Sequence, residues 1–218
     1  MRTRPAAGGG IVVEVAVDRL PGWVNRFAGR NDGLTAIEAT TDAVLLRAAD
    51  GTTAQLAVPF PPMRVGEREP LEALLSHLGG LGAVGIVAVR AGAHSVGVAR
   101  DRVVLVSRTD RAHLQGRTAA GGWSQQRFAR RRGNQRRASL DDAARDAADV
   151  LLPVVGTLDA LVAAGDAAAL DAVLADPRLK RLAALPRRTF GDIAEPRRAV
   201  IDELAVRLYD VEVTVRDR

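Results

Sequence analysis

Residues 11–17, IVVEVAV, alternate apolar and other residues around Glu14, as a half-buried strand does. Pro21 then opens a short helix, PGWVNRFAGR, with Trp23, Val24 and Phe27 on one side, and Gly33 ends the following turn. Three short strands are predicted at 35–39, 43–48 and 53–58, the last two joined by a hairpin turn at Asp50–Gly51. The stretch VPFPPMRVGEREP carries Pro59, Pro61, Pro62, Gly66 and Pro70. Such a density breaks helix and strand alike and marks a domain boundary. Beyond it Leu71, Leu74, Leu75 and Leu78 stand at helical spacing, and Gly79–Gly80 stop that helix.

Strand-like runs follow at 84–90, 94–100 and 103–108, with a turn at Asp101–Arg102. A basic helix is expected from about Ser124 to Arg132, interrupted or kinked at Gly133–Asn134. A second helix then starts at a capping box formed by Ser139 and Asp142 and places Leu140, Ala144, Ala147 and Leu151 on one face. A buried strand at 158–164, helices at 166–175 and 196–207 and a last strand at 209–215 complete the pattern. Strands alternating with helices point to a layered α/β fold. The expected organisation is a disordered tail at 1–10, a small N-terminal α+β unit with its proline-rich joint at 11–68, and a main domain at 69–218.

Aromatic residues make up only 3% of the chain, so the core must be built from Val, Leu, Ile and Ala. Cysteine is absent, which removes disulfides and thiolate metal sites. No run approaches the ~18 apolar residues of a membrane span, and a cytoplasmic protein without membrane contact is expected. The formal net charge is +5, and Lys180 is the only lysine.

His77, His94 and His113 are far apart and lack metal-ligand spacing, so no metal site is expected. His77 is placed near a helix C-terminus, where the dipole favours it for structural reasons. The triplet Gly8–Gly10 lacks the strand-before, helix-after setting of a phosphate loop, and Asp141–Asp142 at a helix start complement the dipole.

The informative segment is RAHLQGRTAAGGWSQQRFARRRGNQRR, residues 111–137. It holds eight arginines and no acidic residue. A solvated helix face interleaves both signs, because like charges at i,i+4 repel. Arg127 with Arg131, and Arg132 with Arg136, are such like-charged pairs. Their repulsion is tolerable opposite a polyanion, so Arg117, Arg127, Arg130, Arg131, Arg132, Arg136 and Arg137 are expected to contact nucleic acid. Gly121 and Gly122 free the backbone to approach a ligand. Trp123 either stacks on a base or docks the loop on its domain. Gln125 and Gln126 supply hydrogen-bond donors and acceptors but no strong base, which suits an already activated substrate such as an aminoacyl ester.

GGWSQQRFARRRGNQ resembles the catalytic loop and stem of the Vms-like release-factor family in its actinobacterial branch. More distantly it resembles the GGQ loop of archaeal and eukaryotic class I release factors, where an RFARxR helix follows three residues on. Arg127–Phe128–Ala129–Arg130–Arg131–Arg132 fits that helix, and LDALVAAGDAAAL resembles the strand and turn of the same domain. The resemblance covers roughly residues 70–218. It implies a release-factor middle-domain fold, a mixed α/β sheet with helices. It also implies peptidyl-tRNA hydrolysis that frees stalled nascent chains.

Aligned through RFAR, the glutamine of GGQ falls on Trp123. The Vms-like branch carries its glutamine after a Gly-x-x-x spacing, which Gly121 and Gln125 match. The resemblance therefore implies a catalytic group of Gly121, Gly122 and Gln125, with Gln126 the next choice. It implies no cofactor. The implied partners are the ribosome, especially its large subunit and rRNA, and peptidyl-tRNA, for a protein acting as a monomer. A non-catalytic ribosome- or RNA-binding factor is the alternative. An RNA endonuclease is disfavoured, because the loop has neither clustered carboxylates nor a histidine pair.

Overall fold

A computed structural model describes residues 2–90, 92–111 and 124–217, with the backbone alone described at 124–129, 131 and 132. Its strands are β1 (Thr3–Pro5), β2 (Ile11–Val15), β3 (Leu34–Ala39), β4 (Ala43–Ala48), β5 (Thr53–Ala57), β6 (Ala83–Arg90), β7 (Ala93–Arg100), β8 (Val103–Arg111), β9 (Leu158–Gly165), β10 (Arg187–Phe190) and β11 (Val211–Arg216). Its α-helices are α1 (Leu20–Arg30), α2 (Pro70–Gly79), α3 (Ser124–Leu151), α4 (Ala167–Leu174), α5 (Lys180–Ala183) and α6 (Arg198–Arg207). The described residues form a mixed α/β protein with two sheets.

It divides into two units, Met1–Leu81 with Val206–Arg218, and Gly82–Ala205. The sequence pattern instead places the boundary at the proline-rich joint and keeps 69–218 together. Two features shift it. Helix α2 buries Ala73, Leu74 and Leu78 in the core of the first unit. Strand β11 inserts between β2 and β5. A pairing between strands so far apart along the chain has no local sequence signal.

In the first unit the sheet runs β1–β2–β11–β5–β4–β3, with every neighbouring pair antiparallel. Alternation puts Val44, Leu46 and Ala48 of β4 inward with Ala54 and Leu56 of β5. They share one buried cluster with Leu20, Val24 and Phe27 of α1 and with α2. Complete burial of a Leu such as Leu74 stabilises by about 1.5–3 kcal/mol. The segment expected as a tail contains β1, which pairs with β2. Gly8–Gly10 lie in the connection between these two strands, and all three have positive φ. A Cβ on Gly10 would sit 2.1 Å from the Val215 carbonyl oxygen, so glycine is required there.

The second unit has the strand order β10–β9–β6–β7–β8. β10, β9 and β6 are parallel, and β6, β7 and β8 are antiparallel. β6 is buried at every position but its last, as a central strand covered on both faces must be. Asp101 and Arg102 both have positive φ, in keeping with a tight hairpin turn between β7 and β8. Val87, Val89, Val96 and Val98 of the sheet share a core with Ala143, Ala144, Ala147 and Leu151 of α3 and with α4. The sequence pattern has no counterpart for β10, a four-residue edge strand.

Candidate nucleic-acid interface

α3 is a single helix of 28 residues, about 42 Å long at 1.5 Å per residue. The expected interruption at Gly133–Asn134 and the cap at Ser139 are both corrected. The Ser139 hydroxyl donates to the carbonyl of Gly92, 3.2 Å away, and so does not cap a new helix. A helical glycine costs about 1 kcal/mol relative to alanine, too little to end a helix whose second half is packed. Asp141 and Asp142 accordingly lie inside the helix, not at its start, and Asp142 pairs with Arg145 at 2.8 Å.

The two halves of α3 differ. In the second half Ser139, Ala143, Ala147 and Leu151 recur every four residues and are buried, with Ala144 beside them. Their small side chains let the helix lie close on β7. In the first half Arg130, Gly133, Asn134, Arg136 and Arg137 are exposed. No acidic residue occurs between Ser124 and Leu140 to offset these guanidiniums. A basic helical arm thus continues from an anchored helix.

The anchor includes a charged cluster. His94 of β7 is 2% exposed, and its Nε2 lies 3.0 Å from Asp146 Oδ2 on α3. Arg108 of β8 donates through Nη1 to Asp146 Oδ1 at 2.9 Å and to Asp149 Oδ2 at 3.0 Å. Burial alone would push the Asp146 carboxyl up, but the hydrogen bonds from His94 and Arg108 outweigh it and hold it below the usual carboxylate range. The hydrogen bonds to Asp146 and Asp149 raise the Arg108 guanidinium in turn. An ionised carboxylate only accepts, so His94 Nε2 carries the shared hydrogen.

Of the residues singled out by sequence, Gln125, Gln126, Arg127, Arg131 and Arg132 fall on the helical backbone of α3. Arg130, Arg136 and Arg137 lie on the same helix and are exposed. Arg117, Gly121, Gly122, Trp123 and His113 lie outside the described residues. His77 hydrogen-bonds through Nε2 to the Pro59 carbonyl at 2.9 Å, a contact within the first unit. The sequence pattern does not reveal the His94–Asp146 contact. Its one signal is Asp146 three residues after Ala143, a carboxylate beside an otherwise small apolar stripe.

Among the described residues no group of three or more His, Asp or Glu side chains is arranged to hold a metal ion. Among them, too, no helix is long and apolar enough to cross a membrane.

No curated protein matches the chain. Among solved structures it is similar to an archaeal translation termination factor, aRF1, with a TM-score of 0.38 and 13% identity over 91% of this chain and 66% of that one. It is similar to a structure described as an archaeal protein, with a TM-score of 0.40 and 11% identity over 91% of this chain and 66% of that one. A third similar structure is S. cerevisiae Dom34, a translation termination-like factor involved in RNA quality control pathways and interacting with Hbs1. There the TM-score is 0.29 and identity 9%, over 95% of this chain and 69% of that one. The chain spans just under two thirds of the archaeal factor's length, at 66%. Residues 82–214, which include all of α3, match the family described as Actinobacteria/chloroflexi VLRF1 release factor. The chain therefore belongs to that release-factor family.

Proposed function

We propose that the protein hydrolyses the ester bond of peptidyl-tRNA on the large ribosomal subunit and so releases stalled nascent chains. The observation that carries this reading is the division of α3 into a packed second half and a basic first half on which Arg130, Arg136 and Arg137 are exposed, following Gly121–Gly122–Trp123 in sequence. Arginines of that arm bind rRNA or the tRNA acceptor end. Gly121 and Gly122 let the loop reach the ester. Gln125, with Gln126 as the next choice, holds a water against the ester carbonyl. The first N–H groups of an α-helix have no intrahelical acceptor and lie at its positive end, so they are suited to stabilise the oxyanion. The terminal ribose hydroxyl of the tRNA shares in proton transfer. Trp123 stacks on RNA or seats the loop. The protein works as a monomer, in the cytoplasm, and the chemistry calls for no cofactor.

The test is release of labelled peptide from peptidyl-tRNA on isolated large subunits by the full chain. Arg130→Glu with Arg136→Glu should weaken subunit binding and lower the salt dependence that remains. Binding by the wild type without any release would make the protein a non-catalytic ribosome-binding factor.

A further inference from the structure

A second basic surface lies in the same unit, on the segment that follows α4. Residues 177–191, PRLKRLAALPRRTFG, contain five basic residues and no acidic one. Their roles differ. Arg178 is neutralised locally, because it holds Asp176 at 2.7 Å and lowers that carboxyl to about 2. The Arg188 guanidinium lies 4.7 Å from the centre of the Phe190 ring and is half-buried. Lys180 and Arg181 on α5 and Arg187 at the start of β10 are exposed. None of these three has an ion-pair partner among the described residues.

The sheet fixes where this surface lies. Arg187 is paired with Leu161, in the first half of β9, and α5 packs on the turn at 152–157 that leads into β9. That is the amino end of the parallel strands. The α3 arm emerges at their other end, where Ser139 meets Gly92 just beyond β6. Arg187 is level with Gly85 across β9, and the steps of β6 from there to Arg90 span on the order of 17 Å.

We propose that Lys180, Arg181 and Arg187 form a second RNA-phosphate-binding surface that engages rRNA apart from the α3 arm. Edge protection explains an arginine on β10, since a charged edge strand resists pairing with another sheet. It does not explain Lys180 and Arg181, which lie on a helix. An acidic protein partner fits less well, because stable protein interfaces have an apolar centre. Among the described residues no exposed large apolar side chain falls within 177–191, and the adjoining segment 152–157 adds only Val154. Phosphate contacts need no such centre, and guanidiniums suit them through paired hydrogen bonds. The proposal takes its class of partner from the RNA-binding reading above and nothing else from it.

The test uses the full chain carrying Lys180→Ala, Arg181→Ala and Arg187→Ala, with a Gln-substituted triple variant as a second form. Binding to purified large subunits and to protein-free large-subunit rRNA is measured between about 50 and 200 mM salt. A parallel variant, Arg130→Ala with Arg136→Ala, reports on the α3 arm. The patch variants should bind both probes more weakly, with a salt slope reduced by about 0.7–0.9 for each phosphate no longer neutralised. Unchanged slopes on both probes overturn the proposal. Weaker binding to subunits with wild-type binding to protein-free rRNA also overturns it and assigns the surface to a ribosomal protein. Weaker binding in the patch variants but not in the arm variant leaves this proposal standing and removes the arm from RNA binding.

Discussion

His94 Nε2 meets Asp146 Oδ2 at 3.0 Å, a polar contact that ties the interior strand β7 to the packed half of α3. His94 is 2% exposed, so the contact exchanges little with water. Arg108 reaches Asp146 from the neighbouring strand β8. The carboxylate is therefore held from two strands at once. It fixes the turn of the helix that faces the sheet, and through a rigid helix it fixes where the arginine arm begins.

Asp146→Asn should destabilise the protein by about 1–3 kcal/mol at neutral pH, the usual cost of leaving buried hydrogen-bonding partners unmatched. The pH dependence has a definite sign. The folded carboxyl lies below its unfolded value, so its contribution is complete above the ordinary carboxylate pKa of about 4. It is lost as the pH falls through the lower folded value. Urea unfolding of wild type and variant should thus differ at pH 7 and converge in acid. A difference that persisted unchanged in acid where the folded carboxyl is protonated would mean that the ionised carboxylate is not the stabilising form.

Gly133→Ala tests whether α3 works as one unbroken helix. Gly133 lies in the helix interior, and nothing is within 4 Å of a Cβ placed there. Alanine should raise stability by about 0.5–1 kcal/mol, through the smaller entropy loss on folding. Peptide release should be unchanged. A stabilised variant with impaired release would show that function needs a bend at this position.

Much of the fold is legible where the pattern is local. The apolar runs of β6 and β9, the leucine spacing of α2 and the turn at Asp101–Arg102 all have their signal within a few residues. β11 is legible as a strand, but its place between β2 and β5 is not, because pairing partners leave no mark on the strand itself. A local rule divides α3 at Gly133, whereas the packing of Ala143, Ala147 and Leu151 decides its course. The arginine-rich arm is legible because its charges lack opposing neighbours. The His94–Asp146 contact is not, because the two residues are 52 positions apart.

Glu14 and Arg207 form a buried ion pair in the first unit, with Nε and Oε1 2.6 Å apart and side-chain exposures of 8% and 10%. Arg207→Met alone should cost about 3–5 kcal/mol, because it strands a buried carboxylate. Glu14→Leu combined with Arg207→Met should recover most of that loss, since an apolar pair removes the desolvation penalty as well as the attraction. A double-mutant cycle by urea denaturation measures the coupling. Additive losses would show that the two charges are solvated separately.

Gln125→Ala should abolish most peptide release and leave subunit binding nearly unchanged. Gln125 stands four residues beyond Gly121, on the helical backbone that begins at Ser124. Its amide offers a donor and an acceptor, so it can hold a water and the ester region together. It is no base, so its effect must come from placement, and losing one preorganised donor costs on the order of 10²–10³ in rate. Gln126 follows directly, and on a helix its side chain points about 100° away. Gln126→Ala should therefore be the milder change. Gln125→Glu keeps the length but removes the amide donor and adds a negative charge beside the forming oxyanion, so it should release no better than the alanine variant. Full activity in both alanine variants would remove the loop glutamines from the mechanism. A larger loss at Gln126 would move the assignment by one residue. Release restored by Gln125→Glu, with a rate rising as the carboxylate ionises, would replace positioning with general-base catalysis.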